Sequence, residues 1–381
     1  MHVTLLRIYN YFYFSLFAIF LSFLPVYLTA QGVSETHIGF IIGMGAFIGI
    51  VSQPIWGLIS DKLRTIKKVL QPILGCSILI GAMLFQTSDQ VLLLLLVSLL
   101  FFFFLPTDPL VESLNYQTSQ KNQVSYGSVR MFGALGFAIS SLSIGYIANR
   151  LGMHALTYLF CGYGILSFLL GFLLADVSTT NKPIRLQDLK AFVSDKRTIG
   201  FFMLVFISAL PQRMNDYFIG IYIGQLGGNV QLVGQAWFVM TMIEVVFFAL
   251  AHRFIKPGNE LKVIAIAAFF YTLRFLLCAL TPNPALIVWY QLFQGVTFVL
   301  FYTAAIQYLH AIVPDEWKST GQTVLAVLFF GVSGIIGSVM GGWFMDTFSG
   351  SALYLFMALL SAAGIGCSFV IRSKETRSAA P

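Results

Sequence analysis

Charge is what this sequence has least of. Asp, Glu, Lys and Arg make up 10% of its 381 residues, against about 25% in a soluble globular chain. Such a composition cannot coat a particle of this size with polar side chains. It excludes a soluble enzyme, a disordered regulator and a nucleic-acid reader together, so no nucleic-acid partner is expected. Cysteine is scarce too: Cys76, Cys161, Cys278 and Cys367 lie in four separate apolar runs. That spacing excludes a disulfide framework and a cysteine metal site, and the four read as small apolar fillers. All five histidines (His2, His37, His154, His252, His310) fall near the ends of apolar runs, which excludes a histidine proton relay at mid-span. Neither a metal nor a cofactor is expected. A cleavable leader is not expected either, because the first apolar stretch runs from Ile8 to Ala30, longer than the roughly 7–15 residues of a signal core.

What fills the chain is long apolar runs. Apolar residues are 58% of it, and a helix needs about 20 of them in succession to cross the hydrocarbon core. Twelve runs qualify, at 8–30, 38–60, 69–87, 91–114, 127–149, 154–175, 199–224, 232–252, 263–281, 284–310, 319–345 and 351–371, and seven of them contain no Asp, Glu, Lys or Arg. Strands of a membrane barrel would alternate over about 10 residues. The expected fold is therefore an all-α membrane protein with twelve transmembrane helices. The longest connection falls midway and divides them into two pseudo-symmetric six-helix bundles, 1–176 and 199–381, joined by a linker at 177–198. Within that linker 178–183 is polar, and 186–193 reads as a short amphipathic helix.

Orientation follows from the basic residues. With the N-terminus inside, eighteen of the 22 Lys and Arg fall in inner segments and only Arg150 falls outside; the other three lie within spans. That asymmetry predicts a multi-pass protein of the cell membrane with both termini cytoplasmic, and it accounts for the net charge of +7 without a polyanion partner. A weak three-helix repetition is also present. A glycine is followed four residues later by Asp or Asn at Gly57–Asp61, Gly145–Asn149 and Gly342–Asp346, where glycine permits close helix contact and the polar residue caps or bridges. The corresponding end of the eighth helix shows only His252-Arg253.

The mid-span ionisable residues carry the functional signal: Asp108 and Glu112 in helix four, Arg130 in five, Arg213 and Asp216 in seven, Glu244 in eight and Arg274 in nine. Each costs about 2.5–3.5 kcal/mol at a helix centre, so seven facing lipid would be prohibitive. They must face the interior, and the set points to a pathway for a polar solute. Arg213 and Asp216, three residues apart, can alternatively neutralise each other as a structural pair. Pro106-Thr107-Asp108-Pro109 removes two backbone donors beside Asp108 and Glu112, predicting a broken helix of the kind tolerated where it lines a cavity. Gln291, Gln294 and Thr297 recur at every third residue, presenting neutral donors and acceptors for a solute or for a neighbouring helix.

Several segments then resemble a known family. Gln53-Pro54-Ile55-Trp56-Gly57-Leu58-Ile59-Ser60-Asp61-Lys62-Leu63 is similar to the end of helix two and the following loop in the major facilitator superfamily, with Arg64 where a glycine is usual. Tyr11 to Phe14, continuing to Phe23-Leu24-Pro25, and Val111-Glu112 followed by Tyr126-Gly127-Ser128-Val129-Arg130, resemble the branch that holds lactose permease and the phenylpropionate permeases. Arg274, Gln291 to Phe298, Val313 to Glu316 and Gly321-Gln322 continue the likeness. The resemblance implies secondary transport by alternating access, with Glu112 and Arg130 as a solute-binding pair, Phe137 as an aromatic wall and Arg274 as a functional cation. Gly57, Asp61 and Lys62 would belong to the gating loop. It departs in helix ten, where Thr297 stands in place of a proton-releasing carboxylate.

Together these readings predict a monomeric transporter in the lipid bilayer that moves a small-molecule substrate, a polar organic solute such as a sugar, nucleoside or aromatic acid. The expectation is uptake by proton symport, with the proton gradient as the energy source. Substrate contacts are expected from Glu112, Arg130, Phe137, Gln291, Gln294 and Arg274. Proton coupling is expected from Glu244 first, then Asp108 and Asp216, because a carboxyl taken out of water holds its proton more tightly and a nearby arginine loosens it. Proton-antiport efflux and an uncoupled facilitator are the alternatives on the same fold. A membrane-embedded enzyme would need a nucleophile–base or metal constellation, which the sequence does not contain.

Overall fold

The computed structural model describes residues 2–177, 196–314 and 317–378. Among these there is no β-strand, and the chain runs through twelve long helices. They are α1 (Val3–Ala30), α2 (Glu35–Leu63), α3 (Lys67–Leu84), α4 (Gln90–Lys121), α5 (Tyr126–Leu151), α6 (Ala155–Leu173), α7 (Lys196–Gln225), α8 (Val230–Phe254), α9 (Glu260–Leu280), α10 (Pro284–Ile312), α11 (Thr320–Thr347) and α12 (Gly350–Ser373). Eleven are long and apolar enough to cross a membrane. The exception, α7, is 30 residues long, but Gln212-Arg213-Met214-Asn215-Asp216 at its centre lowers its apolarity. Each expected apolar run matches one helix. The expected inner-surface helix at 186–193 lies outside the described residues.

Local chemistry sets where the helices start. Asp89, Asn229 and Asn283 each stand immediately before a helix and accept a backbone N–H from its first turn, that of Leu92, Leu232 and Ala285, at 2.8, 3.1 and 2.9 Å; Asn283 is followed by Pro284, which needs no donor partner at a first position. The break predicted in α4 is present as a turn at Leu105-Pro106. Proline at 106 leaves the carbonyl four residues earlier without its helical donor. That carbonyl, on Phe102, accepts the Trp56 indole N–H from α2 at 3.2 Å. The Thr107 hydroxyl donates to Phe104 O at 2.5 Å and shares a 2.7 Å bond with Tyr13 of α1. Nearby, Asn10 of α1 and Asn115 of α4 exchange two amide hydrogen bonds of 2.7 Å, both fully buried.

Beside a contact of α1 with α7, where Val26 covers Gly220, two long crossings join the first six helices to the last six, and both depend on glycine. In α2 against α11, a Cβ on Gly39 would stand 2.2 Å from Ser338 O, and one on Gly342 would stand 2.3 Å from Glu35 O. In α5 against α8, a Cβ on Gly234 would stand 2.3 Å from Ser141 O, with Gly145 packed on the same glycine. Backbones therefore touch at both crossings. At the rim of the first, the Asp346 carboxylate accepts the Thr36 hydroxyl at 2.5 Å and Gln225 donates to Glu35 at 2.9 Å, so Asp346 does bridge as its spacing suggested. All these contacts lie on the side of the bundle away from the two chain ends. Toward the other side, the terminal side, the crossings splay. Gly57, expected as a close-contact glycine, has nothing within 4 Å of where a Cβ would sit, because α2 has already left α11 at that depth.

The loop after α2 is fastened by residues that follow Lys62. Arg64 adopts a left-handed backbone, φ 52°, at the helix end, a conformation for which glycine is better suited. The chain then turns back through Thr65, whose hydroxyl donates to Asp176 at 2.5 Å, and Lys67, whose N–H meets the same carboxylate at 3.1 Å. The Lys67 ammonium also donates to Phe172 O and Leu174 O at 2.5 and 2.8 Å. Asp61 is half-buried and Lys62 exposed, and the fastening to the end of α6 is made by Thr65, Lys67 and Asp176.

Two outcomes follow. Arg64→Gly should stabilise the protein by about 1 kcal/mol by removing the left-handed penalty, read as a higher thermal midpoint in detergent; a lower midpoint would mean that the Arg64 side chain is needed. Gly234→Val should force α8 off α5 and raise, several-fold, thiol labelling of a reporter cysteine at position 141 from the far side in a background lacking the four native cysteines. Unchanged labelling would show that the crossing tolerates a side chain.

Candidate functional site

The charged residues gather into two groups. In the first six helices, Arg130 Nε lies 2.5 Å from Glu112 Oε1, with side-chain exposures of 36% and 26%. The other Glu112 oxygen accepts the Tyr126 hydroxyl at 2.5 Å. The Arg130 guanidinium sits 4.0 Å above the ring of Phe14, a cation–π contact that holds its plane. Glycine at 133 makes this arrangement possible: a Cβ there would stand 2.4 Å from the Phe14 ring and 2.9 Å from Arg130 Nη1. The remaining guanidinium N–H groups make no hydrogen bond to a described side chain. Asp108, one turn before Glu112, is half-buried and makes neither a side-chain hydrogen bond nor an ion pair among the described residues.

Arg130, Phe137, Ser141 and Gly145 recur along one face of α5, spaced about one or two turns apart, and that face looks toward α8. At Ser141 and Gly145 the helices touch. At Phe137 the contact is between rings, 5.8 Å edge to face with Trp237 of α8. At Arg130 the guanidinium is partly accessible. The two groups of helices thus part toward the terminal side, and the Glu112–Arg130 pair stands on the wall of the opening.

The second group surrounds Arg274 of α9, which is fully buried. Its Nη1 donates to the Gln294 carbonyl oxygen and its Nη2 to that of Gln291. Longer contacts reach Thr297 Oγ1 at 3.3 Å and Met240 Sδ at 3.6 Å. Gln294 then passes the connection on, its amide N–H donating to Glu244 of α8 at 2.8 Å. Helix shape explains how two glutamines reach one guanidinium. Residues three apart drift around a regular α-helix, but residues 291–293 form a 3-10 turn and 295–299 a π turn. In a 3-10 turn positions i and i+3 eclipse, so Gln291 and Gln294 line up over Arg274.

Arg213 and Asp216 of α7 form a buried ion pair, with Gln212 donating to the same carboxylate at 2.8 Å. The Arg213 guanidinium lies 5.1 Å from the Phe330 ring and 5.9 Å from Phe329. The local pairing weighed from the spacing is therefore present, and Asp216, expected among the proton carriers, has an arginine and an amide as its partners.

Three expectations change. Gln291 and Gln294, expected to face a solute, are buried with their carbonyls turned onto Arg274. Arg274, expected as a solute contact, is sealed behind them. It also does not touch Glu244 directly, since an uncharged amide stands between them. Phe137 belongs less with Arg130 than with Trp237 across the opening. The sequence assigns no role to Tyr126, Phe14, Gly133 or Trp237, although Tyr126 and Phe14 lie in segments that carry the family resemblance. Tyr126 lies in the same motif as Arg130, and a lone tryptophan in the middle of a span was the available signal for Trp237; the other two declare themselves only through packing.

The profile of the MFS_1 like family matches residues 3–356. The chain belongs to that family, within the major facilitator superfamily. It is 24% identical to maltose permease of Geobacillus stearothermophilus, covering 96% of this chain and 94% of that one. It is 28% identical to the probable 3-phenylpropionic acid transporter of Escherichia coli, covering 92% of each. The nucleoside transporter NupG superposes with a TM-score of 0.87 at 17% identity, over 97% of this chain and all of that one, a likeness of fold. The family member described here is a multi-pass membrane transporter and not an enzyme.

Because Gln294 serves a cation and a carboxylate at once, Gln294→Leu should destabilise the protein by about 2–3 kcal/mol. Thr297→Val, which removes only the 3.3 Å contact to the arginine, should cost less than about 1 kcal/mol. Thermal unfolding in one detergent ranks the pair, and a reversed order would show that Gln294 is not the central link.

Proposed function

We propose that this family member takes up a small polar organic solute together with a proton, driven by the proton gradient across the cell membrane. The observation that carries the reading is the Glu112–Arg130 pair: two charged groups at span depth, partly accessible, on the wall between the two groups of helices. Arg130 still has N–H groups to offer as a planar fork to a carboxylate or hydroxyls, while Glu112 accepts from hydroxyls. Phe137 and Trp237, nearer the closed crossings, would pack against the apolar face of a ring. A sugar, a nucleoside and an aromatic acid all suit this chemistry, in keeping with what the relatives carry by name.

Glu244 is the proposed proton carrier. As an anion it accepts from Gln294, whose carbonyl is held by Arg274; on taking a proton it weakens as an acceptor and loosens that chain at its free end. Gln294 thus transmits the influence of Arg274 to Glu244. Asp108, beside Glu112, is the second candidate. Two bundles, 1–176 and 199–381, would rock about the site as a monomer. With both termini cytoplasmic, the described opening faces the cytoplasm.

Arg130→Lys keeps the charge and loses the fork, and should weaken solute binding about tenfold or more; intact affinity would misplace the site. Glu244→Gln should abolish accumulation driven by an imposed pH gradient while leaving solute exchange, and unchanged accumulation would remove Glu244 from the coupling step. In everted vesicles with an acid interior, solute leaving the vesicles together with protons supports uptake by symport. Solute entering in exchange for protons would favour efflux by antiport, and solute movement without proton flux would favour a facilitator.

A further inference from the structure

A groove of about 330 Å³ opens on the outer surface between α9 and α12, on the terminal side. It belongs to neither charged group described above. Helix spacing creates it. At Gly364 α12 lies close, with a Cβ there 3.8 Å from that of Ala268 and 3.0 Å from the Ser208 hydroxyl. Toward the terminal side the helices separate around Ala265, leaving a slot walled by Ile266, Phe269 and Phe369. Phe269 and Phe369 are 54% and 57% exposed, so the slot faces the lipid.

Its mouth is basic. Lys262 and Arg372 line it at the terminal end, both exposed. Lys262 is roughly 9 Å and Arg372 roughly 12 Å along their helices from the Ala268–Gly364 contact, which puts two cations at the membrane boundary and an apolar slot running inward beneath them. The acidic residue beside Lys262 in the chain does not neutralise it: Glu260 is buried and accepts the Gly258 N–H at 2.9 Å. Paired cations over an apolar cleft between spanning helices match a phosphodiester headgroup with its acyl chain below.

We propose that this groove is a binding site for an anionic phospholipid, its phosphate between Lys262 and Arg372 and one acyl chain against Phe269 and Phe369. The occupant is a lipid and not free phosphate, because the cations alone lack the buried donors a free anion would require while the slot supplies apolar area.

The full-length protein, purified in detergent, is titrated with phosphatidylglycerol, phosphatidylcholine and inorganic phosphate, following thermal midpoint and bound lipid by native mass spectrometry. Phosphatidylglycerol should bind preferentially and raise the midpoint. Lys262→Gln with Arg372→Gln should weaken it by roughly fivefold per cation lost, leaving the lipid-free midpoint unchanged. Ala265→Trp, which fills the slot and keeps both cations, should also reduce binding; if that variant does not fold, the charge variant carries the test. Lys62→Gln with Lys68→Gln, on the same side but outside the groove, should have no effect. The proposal is overturned if phosphatidylcholine binds equally, if inorganic phosphate stabilises as well as the lipid, if the groove charge variant keeps its affinity, or if the control pair lowers affinity as much.

Discussion

A guanidinium enclosed among apolar helices must find acceptors inside the protein, and much of the last six helices is arranged around that need. Arg274 is fully buried and its acceptors are two amide carbonyls instead of a carboxylate. To bring both amides to one cation, α10 gives up regular geometry for a 3-10 and then a π turn. The same glutamine that receives the arginine then reaches Glu244. A direct salt bridge would hold the two charges more tightly. An intervening amide keeps each in contact with the other's state while leaving the carboxylate half-buried, a setting in which its occupancy can change without stripping the cation of all its partners.

The first six helices answer the same constraint with a different balance. Asn10 and Asn115 satisfy each other, Tyr13 and Thr107 cover the break in α4, and Trp56 takes up the carbonyl freed by Pro106. Arg130 keeps spare donors there, partly accessible at the opening, and Asp108, one turn before its partner Glu112, is half-buried. The asparagine and threonine–tyrosine pairs are closed off from the opening, whereas the Arg130 donors face the space between the helices.

Most of the architecture was legible in the amino-acid order because span length and apolarity are one-dimensional properties. Even α7, the least apolar helix, stood out by the runs on either side of its polar centre. The Glu112–Arg130 pair was legible for a related reason: charges at span depth are too costly to be incidental. What was not legible depends on distances between segments far apart in the chain. The stripe Gln291, Gln294 and Thr297 suited a solute or a neighbouring helix equally, and that its target is Arg274 was not legible, because spacing alone does not tell which helix a face meets. Gly57 shared a pattern with Gly145 and Gly342 and yet packs on nothing, since α2 diverges from α11 before reaching it. Trp237 gains its meaning only from Phe137 on the opposite wall.

The glycine crossings carry a consequence for how the protein cycles. Each helix already satisfies its own backbone groups, so parting α2 from α11, or α5 from α8, orphans no buried main-chain donor or acceptor. Only dispersion is lost at the centre, and at the rim the Thr36–Asp346 and Gln225–Glu35 bonds are exposed, where water replaces them at once. A fastening of this kind releases cleanly and re-forms in the same register, as a zip does. Opening that face therefore asks only that a few aliphatic side chains, Val339 against Gly43 and Val26 against Gly220, leave the glycines they cover.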